Sequence, residues 1–167
     1  MCVIDEMRKA IIDELRKIFD FEVFAGYPHP EMFEKVGYPL CAVFEGNVTL
    51  LELIEDGIPE EATDTSSRYA VFEAEVRFDI HLLDSERRRL EENTSRLILH
   101  FAGLPYLGDY RVGRITYRTE PPTPEEKREF ERIFSLPLYG EITYEVETYK
   151  VEEVEYHGQI GEKVGEG

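Results

Sequence analysis

The chain has 167 residues, enough for one domain that buries a core without disulfide or metal staples, and a hydrophobic content of 42% excludes a disordered chain. Nineteen Lys and Arg against 36 Asp and Glu leave a formal charge of −17, which repels nucleic acid and disfavours a DNA- or RNA-gripping function. An acidic wall does suit a conduit through which DNA slides without sticking.

No apolar run approaches the ~20 residues that cross a bilayer, and the first residues lack the basic start and apolar core of a signal peptide. A soluble protein made in the cytoplasm is expected. Cys2 and Cys41 are isolated thiols that make neither a disulfide framework nor a metal motif, and Cys41, inside an apolar run, is expected to be a small core residue.

From Ile4 to Phe19 the apolar residues Ile4, Met7, Ile11, Leu15 and Ile18 recur at three and four, with Glu, Lys and Arg between them, which predicts an amphipathic packing helix. Asp5 near its start suits the positive end of the helix dipole. The stretch Phe21–Asn47 is broken by Gly26, Pro28, Pro30, Gly37 and Pro39 and reads as a connecting loop, with at most a turn of helix over Glu31–Val36. His29, between two prolines, reads as a surface loop residue.

Pro39 opens a short apolar strand, and Gly46-Asn47 predicts a tight turn, so Leu40–Ile54 is expected to be a β-hairpin whose second arm is strand or helix, since its leucines do not alternate cleanly. Glu55–Ser67 carries five acidic residues without apolar periodicity. A connection of that length points to a loop that orders against a neighbouring subunit.

Tyr69–Leu83 alternates strictly: Ala70, Phe72, Ala74, Val76, Phe78, Ile80 and Leu82 on one parity, Glu73, Glu75, Arg77, Asp79 and His81 on the other. Side chains in a strand alternate between faces, so this predicts one dry and one charged face over a strand of roughly 50 Å, far longer than usual. Asp84-Ser85 then starts a second helix, with Leu90, Thr94, Leu97, Ile98 and Phe101 at helical spacing and Gly103 at its end. The basic run Arg87-Arg88-Arg89 is expected to pair with Glu91, Glu92 or a neighbouring acidic subunit.

Tyr110–Thr119 predicts a further strand. Thr123-Pro124-Glu125-Glu126 reads as a capped start for a short extra helix that carries Phe130, Ile133 and Phe134 and stops before Pro137. A last strand begins near Ile142 and slips parity around Tyr149, the mark of a bulge. The predicted organisation is one α+β domain over 1–157, a flexible tail over 158–167, and a mostly antiparallel sheet of about five strands with two main helices on one face.

The sequence holds no P-loop, dinucleotide fingerprint, nucleophile elbow, HExxH or paired CxxC. Asp79 and His81, two apart on one strand face, are the best acid/base or metal candidates, a basis for a small α+β enzyme or metal-dependent hydrolase, although two ligands make a poor site. Tyr110, Tyr117, Tyr139, Tyr144, Tyr149 and Tyr156 crowd the C-terminal third, as interface tyrosines do and as strand tyrosines also do.

In the order of these elements, the opening IDEMRKAIIDELRKIF, the strand-to-helix RYAVFEAEVRFDIHLLDSERRRLEENTSRLILHF and the closing EITYEVETYKVEEVEYHG, the chain resembles the tail-terminator and tail-completion proteins of long-tailed bacteriophages. The resemblance implies a virion subunit of the tail or neck that forms a homo-oligomeric, hexameric ring, ends tail-tube growth and joins tube to head connector. DNA would pass through the lumen without specific binding, and neither cofactor, metal nor catalytic residue is implied. On that footing Glu73, Glu75, Arg77, Asp79, Tyr144 and Tyr149 are expected to face neighbouring subunits or the lumen. The remaining alternative is a non-viral oligomeric interaction module.

Overall fold

The long alternating strand organises the observed fold. In the computed structural model, which describes residues 2–26, 36–58, 65–119 and 129–149, it runs from Thr65 to Asp84 as β3. Ala74, Val76, Phe78, Ile80 and Leu82 are wholly buried, while the residues between them are half-buried.

Helix α1 (Val3–Ile18) buries Met7, Ile11, Ile12 and Leu15, and carries Asp5 and Glu6 in its first turn and Arg16 and Lys17 in its last, the arrangement that favours a helix dipole at both ends. Helix α2 (Arg87–Ala102) buries Leu90, Asn93, Thr94, Leu97 and Phe101 and is capped by Gly103. The helices touch, and His100 Nε2 lies 2.7 Å from Glu14 Oε1 across them. Burial raises the Glu14 carboxyl, but bonds from Lys17 and His100 outweigh it and hold the group below its ordinary value.

The remaining strands are β1 (Val23–Ala25), β2 (Leu40–Gly57), β4 (Tyr106–Leu107), β5 (Tyr110–Val112), β6 (Thr116–Thr119) and β7 (Phe130–Tyr149). Among the described residues they form a seven-stranded sheet in the order β1-β2-β3-β7-β5-β4, with β6 also on β7. The β1–β2 pair is parallel, whereas β4–β5, β5–β7 and β6–β7 are antiparallel. The fold is thus α+β, with, among the described residues, two long helices and a mixed, mostly antiparallel sheet.

Four local expectations are corrected. Val23–Ala25, inside the expected loop, is a strand because Val23, Phe24 and Ala25 pair with Cys41, Ala42 and Val43. Tyr110–Thr119 is two strands rather than one, and each pairs with a different stretch of β7. Phe130, Ile133 and Phe134 are strand, not helix: β7 is flanked on both sides, and Ile133 and Phe134, consecutive residues on opposite faces, are both buried. Pro137 lies within that strand, and its carbonyl accepts a bond from Gly113 N at 2.8 Å. The expected turn over Glu31–Val36 (Val36 apart), His29, Thr123–Glu126 and the tail 158–167 lie outside the described residues.

The fourth correction is at Gly46-Asn47, where β2 continues without a turn. A Cβ on Gly46 would sit 2.7 Å from the Arg77 carbonyl oxygen, so glycine serves here to let the β3 backbone approach. Gly46→Ala is therefore expected to destabilise the protein by about 1–3 kcal/mol, read as a shift in the urea midpoint; an unchanged midpoint would show that β2 relaxes freely away from β3.

The chain divides into two compact units, Met1–Thr49 with Ala74–Gly140 and Leu50–Glu73 with Glu141–Gly167. The first holds both helices and the main core, including Phe134, Leu136 and Leu138 of β7. The second holds the remaining parts of β2, β3 and β7.

Candidate assembly surface

Within the first unit the charged parity of β3 is knitted to β7. Glu75 accepts hydrogen bonds from the Tyr139 hydroxyl at 2.7 Å and from Arg77 Nη2 at 3.3 Å, and Arg77 Nη1 donates to Ser135 Oγ at 3.1 Å. The bond to Glu75, then burial, pushes the Tyr139 phenol above its ordinary value, and Arg111 stacks over the same ring at 4.1 Å. His81 Nδ1 lies 2.8 Å from Glu131, with the Phe44 ring edge-on at 4.8 Å. Glu75, Arg77, Asp79 and His81 are all half-buried. No group of three or more His, Cys, Asp or Glu among the described residues is placed to hold a metal ion. Cys41 is fully buried, as expected, and burial pushes its thiol well up, while Cys2 is exposed.

The second unit is built differently. Leu50, Leu51, Leu53 and Ile54 of β2 are each about half exposed, Tyr144 is 45% exposed and Val146 62%. Successive residues of a strand face opposite ways, so β2 shows large apolar side chains to solvent on both faces. On one of them Leu53, Ala70, Phe72, Tyr144 and Val146 line a shallow cleft of about 340 Å³, with the Phe72 and Tyr144 rings 6.0 Å apart and edge to face. At its rim Arg68 and Asp56 pair at 3.8 Å, and Tyr69 donates to Glu55 at 2.7 Å. Exposed pairs of this kind add little stability.

Of the residues expected at an oligomer or lumen surface, Tyr144 is thus exposed beside an apolar cleft and Glu73 is half-buried in the same unit. Glu75, Arg77 and Asp79 belong to the other unit. Tyr149 ends β7, and its side chain lies outside the described residues. The sequence reading missed the leucines of β2. Their signal was present in VTLLELI, where apolar residues occupy both parities, a pattern that asks for cover on both faces. No helix among the described residues is long and apolar enough to cross a membrane.

No family model matches the chain, and no curated protein matches it. Among solved structures it is similar to the sheath/tube terminator of an extracellular contractile injection system, PVC, in the extended state. The identity is 11%, the match covers 84% of this chain and 57% of that chain, and the TM-score is 0.46. The chain therefore matches a little over half the length of that terminator.

Proposed function

We propose that this chain is a structural subunit that ends the tube of a tail-like assembly. The observation that carries the reading is the second unit, whose strands hold leucine, isoleucine, tyrosine and valine side chains in water on both faces. Exposed apolar surface of that kind marks a surface that is covered in an assembly. The order of helices and strands, which resembles that of phage tail terminators, narrows the assembly to the end of a tail tube. In its finer form the reading is a hexameric ring joining a phage tail tube to the head connector. Glu73, Glu75, Arg77, Asp79, Tyr144 and Tyr149 then face neighbours or the lumen, and the charge of −17 keeps passing DNA from sticking.

Native mass spectrometry of the chain alone and mixed with tail-tube subunits tests this. A closed ring of fixed copy number, or a stable complex with the tube subunit, is expected. A chain that stays monomeric in both samples overturns the reading.

A further inference from the structure

Asp84, Asn93, Thr94 and Arg132 are the buried polar and charged residues among those described. Three of them are answered within the protein: Arg89 holds Asp84, the Thr94 hydroxyl donates to the Leu90 carbonyl at 2.7 Å, and Arg132 pairs with Glu91. Asn93 of α2 is only 6% exposed, yet neither end of its amide has a hydrogen-bond partner among the described residues. A buried polar group left in that state costs stability, so it calls for a partner from outside the fold.

Asn93 lines a cleft of about 280 Å³. One wall is a stripe of α2 on which Arg89, Glu92 and Arg96 flank Asn93, about 10 Å along the helix. The other wall is made by Asp20 and Phe21, just past the end of α1, and by Pro39, just ahead of β2. Phe21 and Pro39 supply apolar surface, and stacking on Phe19 at 4.6 Å holds the Phe21 ring. Asp20, Glu92 and Arg96 are exposed and form no ion pair among the described residues, whereas Arg89 is committed to Asp84.

That chemistry selects the guest. The Asn93 amide offers N–H donors on Nδ2 and an acceptor on Oδ1, so an ion of either sign answers one part of it only. An anion is disfavoured further, because two free carboxylates accompany one free guanidinium. A second amide answers both parts, accepting from Nδ2 and donating to Oδ1. We propose that this cleft binds an extended polypeptide segment of another molecule, whose main-chain amide pairs with Asn93 and whose adjacent apolar side chain packs on Phe21 and Pro39. Roughly three residues of extended chain match the length of the cleft. An adenine edge has the same two groups, but its phosphates would meet Asp20 and Glu92 on a chain of charge −17. The lining residues all belong to the first unit, so the site goes beyond the tube-end reading and its failure leaves that reading standing.

Nuclear magnetic resonance of the isotope-labelled full chain tests this, with a blocked alanyl-leucyl-alanine peptide as the probe. Saturable shifts of the Asn93 side-chain amide and of the Phe21 main-chain N–H are expected. Asn93→Leu is expected to weaken binding, read at Phe21, by about tenfold or more. The same variant is expected to keep a urea midpoint at or above that of the parent, since an orphaned amide gives way to an apolar side chain of similar size. A midpoint that falls would show that the amide serves the fold, and would overturn the site. Absence of shifts with the parent chain, or binding that Asn93→Leu leaves unchanged, overturns it too. So does a short oligoadenylate that shifts Asn93 and displaces the peptide, which would make the guest a base.

Discussion

Phe78→Ala is expected to lower the free energy of unfolding by about 4 kcal/mol, which for a chain of this size is a fall in Tm of roughly 10 °C. Phe78 sits at the middle of the dry parity of β3, wholly buried between Val76 and Ile80, and is among the largest of the fully buried side chains. Truncation removes both its transfer free energy and the contacts of every neighbour that packs on it. Those neighbours are held by a sheet paired on both sides of β3, so the hole collapses only in part. Denaturant melts read by circular dichroism check this, with Glu92→Ala, an exposed change on α2, expected within about 0.5 kcal/mol of the parent. A loss at Phe78 no larger than that of the control would mean that β3 is not the centre of the core.

How much of this was legible in the sequence depended on whether one face of an element stays wet. Helix α1 and strand β3 each have one dry and one charged side, and their periods of 3.6 and 2 showed in the residues; both were placed to within a few residues. Strand β7 defeated the same reasoning because Ile133 and Phe134 are buried on opposite faces, which removes alternation. The spacing Phe130, Ile133, Phe134 then imitates a helix turn, and periodicity alone does not separate the two. The Gly46-Asn47 pair has the composition of a hairpin turn, but the reason for glycine there is a backbone on the neighbouring strand, a long-range fact that no local window contains. Strand β1 is only three residues long and owes its existence to pairing with β2.

The candidate surface was half legible for a related reason. The charged parity of β3 was read correctly as polar, yet its bonds to Tyr139, Ser135 and Glu131 depend on register between strands far apart in sequence. The irregular leucines of β2 were noticed only as an ambiguity between strand and helix. Once β2 is known to be a strand, that irregularity says that two faces need covering, and the second unit leaves both exposed.

Arg89→Ala is expected to cost about 3 kcal/mol or more, out of proportion to a half-buried surface residue, because of what it leaves behind. Asp84, the last residue of β3, is wholly buried, and its carboxylate is gripped by Arg89 Nε and Nη2, each at 2.7 Å, and by the backbone N–H of Glu86 at 2.9 Å. The bond to Asp84 in turn pushes the Arg89 guanidinium above its ordinary value. This clamp fixes the corner at which the strand hands the chain to α2. Removing the arginine strands an uncompensated charge in the interior, and Arg89→Lys is expected to recover little of the loss, since a single ammonium does not reproduce the two-pronged grip. Asp84→Ala removes the buried charge itself and leaves Arg89 free to reach water, so it should cost less than Arg89→Ala. The double variant should then be scarcely worse than Asp84→Ala alone, a coupling of about 3 kcal/mol in a double-mutant cycle. Costs that simply add would show that the two side chains act independently and that the corner is held by the backbone.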